Sequence, residues 1–458
     1  MGRRFYRRSH RRNSLRRALH RPEPMRWTRV DKSRHGLHLA WAIAGGPGPM
    51  STNLRIDGAR LTSRLAELSK IGATPEGGCR RLALTDEDRQ GRDWLVGQMK
   101  ALGLDTRVDA IGNIVGILKG QEDGPAVIMG SHIDTVGTGG RFDGALGVVA
   151  GVEVLAALRD AGLTPKRDMA VIAFTNEEGA RFHPDMLGSY VWAGGMSVEA
   201  AHREVDSDGI GLGAELKRIG YEGAERPGFL PAHAYIEMHI EQGPVLENEG
   251  GGLGAVTGIQ AICWLELTLK GRPSHAGTTP MAYRKDPGLA AARINIFANE
   301  LTKTIPNQLA NSGVIRVQPG NVNVVPETVV MTLDLRNPLD QPLAQAEAAV
   351  RAFCAELSER DGIEISFRDL ARFPATPFAE ELIAEVERSA GEFGLPIRRM
   401  ISGAGHDAQM MARLCPTAMV FIPSIGGLSH NPAEFSTDGD MVAGANILLT
   451  TAWRVANA

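Results

Sequence analysis

Hydrophobic positions in the first half of the chain fall into two short unbroken runs, VIMG at 127–130 and MAVIAF at 169–174. Both are rich in valine and isoleucine and closed by polar residues, the pattern of strands buried on both faces of a parallel sheet. A helical stripe lies between them. Upstream, helical spacing runs from Leu54 through Leu68, and Thr85-Asp86-Glu87-Asp88 opens a second helix that Gly103 stops near Leu102. Residues 108–118 read as paired strands, and residues 234–243 alternate as a further strand. The segment 185–228 mixes short helical pieces with many glycines, the kind of irregular stretch that walls a pocket.

At Ile262 the organisation changes. A strand over 262–270, a helix over 286–304, strands over 313–318 and 328–336, a helix over 341–359 and a strand over 363–370 give the order βαββαβ, the ferredoxin-like motif. After residue 375 the α/β pattern resumes with a helix from Glu380 to Phe393 and a strand from Ala418 to Ile422. The fold class is therefore α/β: a larger domain with a mostly parallel sheet flanked by helices, built from 51–259 and 374–458, with a ferredoxin-like domain inserted at 260–373.

Length and composition agree with this. A chain of 458 residues suggests two or three domains, and 43% hydrophobic with 22% charged residues is an ordinary globular balance. A net charge of −3 gives no drive towards nucleic acid or membrane. Residues 1–50 depart from the average: they are dense in arginine and nearly free of acids, so they are expected to be disordered, and Met50-Ser51 reads as an ordinary start that makes them a non-native extension. The apolar piece 37–46 is too short to span a bilayer. Cys79, Cys263, Cys354 and Cys415 are far apart and form no C-x-x-C pair, which fits buried thiols in a reducing cytoplasm and leaves metal chemistry to imidazoles and acids.

Those groups cluster at strand ends. The carboxyl ends of strands border the ligand crevice of an open α/β sheet, so His132, Asp134, Asp143, Glu177 and Glu178 should gather at one rim. His132 can offer a ring nitrogen to a divalent ion while Asp134, two residues on, holds the other ring N–H. Asp143 lies among Gly139, Gly140 and Gly144, where a sharp bend could bring one carboxylate to two ions. Glu177 and Glu178 can both reach the centre only if the strand has ended at Asn176, and one would then be a ligand and the other a general base. Taken singly, each has an ordinary structural explanation as a strand-end pair, a turn former or a helix start; their gathering at the ends of two buried strands is what favours a metal site.

Further along, His239 and His430 are the natural fourth and fifth ligands, and Gln242 could donate to a substrate carbonyl or carboxylate. His275, in a Ser-His-Ala-Gly loop, is placed to reach across an interface. Asn323 ends one strand, and Arg336 offers a planar fork for a carboxylate. Residues 402–407 read as a glycine-rich turn whose amides could bind an anion.

The segments GSHIDT, GGRFDG, NEEGARF, HIEQGP, GRPSHAGTTPM, NVVP with the downstream DLR, SGAGHDA and LSHNPAEFS occur in this order between residues 51 and 450. Together they resemble the dinuclear-metal amidohydrolases of the M20 peptidase-like superfamily, in the branch of the N-carbamoyl-L-amino acid hydrolases, allantoate amidohydrolases and β-ureidopropionases. The resemblance implies one metal held by His132, Asp143 and His239 and a second held by Asp143, Glu178 and His430, with Asp143 bridging. The ions would be drawn from zinc, manganese, cobalt or nickel. It also implies Glu177 as the catalytic base, Asp134 as a further catalytic-site residue that supports the His132 ligand, and Gln242, His275, Asn323, Arg336 and Gly405 as substrate-binding positions. His275 would reach the oxyanion from the other subunit of a homodimer. The implied reaction is hydrolysis of the ureido C–N bond of a small N-carbamoyl amino acid, with allantoate or N-carbamoyl-β-alanine as alternatives. A dinuclear aminopeptidase is disfavoured by the HIEQGP segment, and a non-enzymatic binding role would leave Glu177 idle.

Overall fold

In the computed structural model, residues 54–458 are described, so the reading of residues 1–50 lies outside the described residues. The large sheet has nine strands. Its centre is four parallel neighbours in the order Met169–Phe174, Ala126–His132, Ala232–Ile240 and Thr417–Ile422. Three of these are buried along their whole length, and Ala232–Ile240 from its third residue on, as expected of strands covered on both faces. Antiparallel strands flank the centre: Asp105–Val108 and Ile114–Leu118 on one side, and Leu253–Ile259 against Thr417–Ile422 on the other.

Helix Ala145–Asp160 is buried through Leu158 and packs on the central strands and on helix Asp438–Asn457. It is apolar nearly all round because it lies inside the molecule rather than on its surface. The first helix starts at Gly58, later than its spacing suggests, because the Asp57 side chain accepts the Arg60 amide and caps it there. Thr85 caps Asp86–Ala101 by accepting the Asp88 amide.

The chain leaves the large sheet at Ile259 and builds a second, wholly antiparallel sheet in the order Ile315–Gln318, Thr328–Asn337, Ala261–Lys270, Glu364–Phe373. Strand, helix, strand, strand, helix, strand follow in the expected sequence, with short additional strands at Ser274–His275, Leu309–Asn311 and Val324–Val325. One face of this sheet carries Cys263, Leu265, Leu267, Leu269, Leu333 and Leu335 into a separate core with Pro287–Thr304 and Asp340–Asp361. The period of two then puts Ile262, Trp264, Asp334 and Arg336 together on the opposite face. That face meets the large sheet at the crevice.

All four cysteines are buried and free of disulfides. Among the described residues no helix is long and apolar enough to cross a membrane.

Candidate metal centre

Four central strands deliver their carboxyl ends to one place. His132 is the last residue of its strand, His239 is the penultimate residue of its own, Glu177 and Glu178 follow the strand ending at Phe174, and His430 lies in the loop after Ile422. Asp143 stands in the loop between His132 and helix Ala145–Asp160. Gly144 has φ +63°, and any Cβ there would collide with the His132 ring, so the close approach requires glycine.

The side chains converge. The Nε2 atoms of His132 and His239 lie 3.7 and 3.1 Å from Asp143 Oδ1, and His430 Nε2 lies 3.5 Å from Asp143 Oδ2 and 3.2 Å from Glu178 Oε2. Among the described residues three groups of potential ligand atoms lie within 4.8 Å of one another: one is Glu237–His239–His406, behind the site, and the two at the crevice are His132–Asp143–His239 and Asp143–Glu178–His430. The two at the crevice share Asp143. Glu177 Oε2 stands 3.4 Å from His132 Nε2 and belongs to neither group.

The donor set suits a divalent cation. His132, Asp143, Glu177 and His239 are buried, and Arg336 is the one arginine or lysine among the described residues lining the cavity of about 250 Å³. Its Nε and Nη2 already face Asp334 at 2.8–3.1 Å. The carboxylates at the floor thus lack a fixed positive partner. Without a metal, protons fill that role. Burial opposes charge on His239, but the hydrogen bond and attraction of Asp143 outweigh it and lift the imidazole to about 9. The hydrogen bond to Glu178 is the main cause that lifts His430, also to about 9. Burial pushes Asp143 up, yet the His239 hydrogen bond and the three imidazoles hold it far below the usual carboxylate range. Burial, reinforced by Asp407, Glu178, Asp143 and Asp134, raises Glu177 well above the ordinary glutamate value.

Ring tautomers are set by main-chain carbonyls. His132 Nδ1 lies 2.9 Å from the Asp134 carbonyl oxygen and His239 Nδ1 2.8 Å from that of Ile240, which leaves Nε2 of each facing the centre. This corrects one expectation: the Asp134 carboxylate is 3.9 Å from His132 Nδ1 and instead accepts the main-chain amides of Glu177 and Glu178.

Other expected positions divide. Gln242, Arg336 and Gly405 line the cavity; His275 and Asn323 do not. His275 is exposed on the strand pair with Val324–Val325, its Nδ1 accepting the amides of Gly277 and Thr278. Arg336 is not a free fork, since Nη1 also donates to the Gly403 carbonyl at 2.6 Å. Within the turn at 402–407 the Ala404 amide donates to Ser402 Oγ at 3.1 Å, and just beyond it the Ala408 amide, in the short helix Asp407–Met411, donates to buried Glu237 at 2.9 Å. Of the segment 185–228, Asp185 and Met186 line the pocket.

Residues outside the expected set also shape the site. Ser429 Oγ donates to Asp143 Oδ2 at 2.8 Å, and Glu434 accepts the amides of Phe142 and Asp143 at 2.9 and 3.1 Å. The Glu434 carboxyl fills the space beside Gly140 that a Cβ would occupy. Both residues sit in the same SHNPAE stretch as His430, whose polar density was their only signal. Ile262, Trp264 and Phe373 contribute apolar wall from the second sheet.

Comparison with known proteins places this geometry. The sequence profile of peptidase family M20/M25/M40 matches residues 128–454. The chain is similar to an N-carbamoyl-L-amino-acid amidohydrolase of Rhizobium meliloti, at 40% identity over 86% of this chain and 96% of the relative, and to one of Geobacillus stearothermophilus, at 38% over 88% and 99%. It is 34% identical to an allantoate amidohydrolase of Bacillus subtilis over 86% of this chain and 97% of that protein. Among solved structures, an amidase of the hydantoinase/carbamoylase family from Burkholderia multivorans superposes with a TM-score of 0.86 at 42% identity, covering 88% of this chain and 99% of the other.

Proposed function

The chain belongs to peptidase family M20/M25/M40, and on that premise we propose that it hydrolyses the ureido C–N bond of N-carbamoyl-L-amino acids. It is a hydrolase of amide or ureido bonds; the amino acid, ammonia and carbon dioxide are the products we assign. The observation that carries the reading is Asp143 shared between two ligand groups, with Glu177 beside them and Arg336 across the same cavity. One end of the cavity suits a polarised carbonyl and the other a carboxylate.

In this reading His132, Asp143 and His239 hold one divalent ion and Asp143, Glu178 and His430 a second, which when bound acidify water and polarise the ureido carbonyl. Glu177 is the base. Its carboxylate removes a proton from the attacking water and hands it to the leaving nitrogen. The C–N bond breaks to give the amino acid and carbamate, and carbamate decomposes to ammonia and carbon dioxide. Arg336 orients the substrate carboxylate, and the unpartnered Oε1 of Gln242 is an acceptor for a ureido N–H. Residues 260–373 act as the lid, since Ile262, Trp264, Arg336 and Phe373 bring its sheet face to the cavity.

A cytoplasmic homodimer completes the proposal. Its support is that His275 lies outside its own cavity while the edge strand Ile315–Gln318 exposes Ile315 and Val317. His275 and Asn323 would then serve the neighbouring subunit's site.

The test is turnover of a substrate panel by protein reconstituted separately with zinc, manganese, cobalt and nickel. N-carbamoyl-L-amino acids should be hydrolysed with the highest kcat/KM. Preference for allantoate or N-carbamoyl-β-alanine would move the protein to the alternative reading, and no release of ammonia from any of them would overturn the proposal.

A further inference from the structure

We propose that the carboxylate of Asp134, a positioning residue, serves the Glu177–Glu178 turn and not the His132 imidazole. The inference rests on the reading of Glu177 as base and Glu178 as metal ligand, and it explains how two adjacent glutamates reach one centre. In a regular strand their side chains would point to opposite faces. The strand ends at Phe174, and Asn176 takes φ +57°, a left-handed conformation that turns the chain. Successive main-chain N–H groups next to such a residue form a concavity that favours an anion.

That anion is the Asp134 carboxylate. Its Oδ1 accepts the Glu177 amide at 3.2 Å and its Oδ2 the Glu178 amide at 3.3 Å. Both amides lie beyond the strand and have no ladder partner, so a fully buried carboxylate with one oxygen for each is the group that satisfies them. With both N–H groups turned towards Asp134, the two side chains are directed to the cavity.

The rest of the turn is held independently. Asn176 Nδ2 donates to the carbonyls of Phe182 and Pro184 at 2.9 and 3.2 Å, and the Met186 amide donates to the Glu177 carbonyl at 2.6 Å. Asp134 therefore fixes the direction of the glutamates within a loop that other bonds close. His132 does not need the carboxylate, because the Asp134 carbonyl occupies its Nδ1 at 2.9 Å while the carboxylate stays 3.9 Å away.

An asparagine at 134 keeps the shape but can accept only one of the two amides and presents an –NH₂ to the other. The experiment compares wild type with Asp134→Asn in the full chain by hydrogen–deuterium exchange, metal analysis and steady-state kinetics. Exchange in peptides covering 175–187 should rise about tenfold with peptides covering 126–133 unchanged. The kcat should fall about a hundredfold with KM within about threefold, the split of a misdirected base rather than a loosened fold. Exchange unchanged at 175–187, or a loss of protection confined to 126–133, would overturn the proposal.

Should the variant not fold, crystal structures of the wild-type protein with and without zinc decide the matter. Both amide contacts should persist, and a hydrogen bond from His132 Nδ1 to the Asp134 carboxylate would refute the assignment. Failure of the underlying reading is separable: it would show as undiminished turnover in Glu177→Gln, whereas the exchange and crystallographic outcomes do not depend on which reaction the site performs.

Discussion

Gln242 Nε2 donates to Asp143 Oδ2 at 2.8 Å, from a backbone held at φ +60°. Ser429 shares that oxygen, so the carboxylate at the heart of the site is oriented by two neutral donors while its other oxygen faces His239. The remaining amide oxygen of Gln242 is buried without a partner. Gln242→Ala should therefore leave metal content intact, because Ser429 still orients Asp143, and raise KM about 5- to 30-fold through loss of one buried hydrogen bond to substrate. Metal analysis alongside KM checks this; a variant that loses its metal would make Gln242 part of the metal scaffold instead.

Glu177 contacts His132 but belongs to neither ligand group. Glu177→Gln preserves volume and removes the proton acceptor. The expected result is full metal occupancy with kcat lowered by roughly 10³-fold, within the range that a positioned acid–base group supplies. A variant turning over at near wild-type rate would give the role of base to another residue.

Metal uptake should release protons. In the metal-free protein His239 and His430 both titrate at about 9, raised by Asp143 and Glu178 after burial is set against them. At pH 7 both are protonated, and a cation can be held only by the neutral rings. Filling both positions should release roughly two protons per subunit at pH 7, one from each ring, and fewer as pH rises through 9. Apparent affinity should accordingly climb with pH up to that point and then level off. Calorimetry of zinc binding in buffers of different ionisation enthalpy measures the count; no proton release at pH 7 would contradict the ion pairing seen here.

The sequence pattern carried the architecture further than it carried the contacts. The two double-buried strands were legible because no other element combines short length, valine and isoleucine density and polar closure, and the second sheet because its alternating strands bury one face only. Position along a strand then brought His132, Asp143, Glu177, Glu178, His239 and His430 to one rim. What could not be read was which atom of a residue does the holding. A His-x-Asp spacing permits either the carboxylate or the carbonyl of Asp134 to meet the ring, and the turn at Asn176 decides between them. Nor does local pattern say that a buried acid 171 residues earlier, Glu237, meets the Ala408 amide, since that depends on how the strands are ordered. The pairing of Leu253–Ile259 against Thr417–Ile422, which turns part of the sheet antiparallel, depends on the same ordering.

Arg336 reaches the cavity with two of its edges engaged. Nε and Nη2 meet Asp334, two residues back on the same face of the strand, and Nη1 meets the Gly403 carbonyl of the opposite wall. Asp334 thus holds the guanidinium plane in a fixed orientation, and a substrate carboxylate would take the Nη1–Nη2 edge in competition with Gly403. A lysine cannot be oriented in this way, because a single ammonium has no plane for Asp334 to fix. Arg336→Lys is expected to raise KM for an N-carbamoyl-L-amino acid about 10- to 100-fold with a much smaller effect on kcat, the signature of lost ground-state binding. The same variant should barely alter KM for the corresponding N-carbamoyl-amino-acid amide, which keeps the ureido bond and has no carboxylate to lose. If both substrates weaken equally, Arg336 supports the wall through Gly403 rather than the ligand; if neither weakens, the carboxylate is bound elsewhere in the cavity.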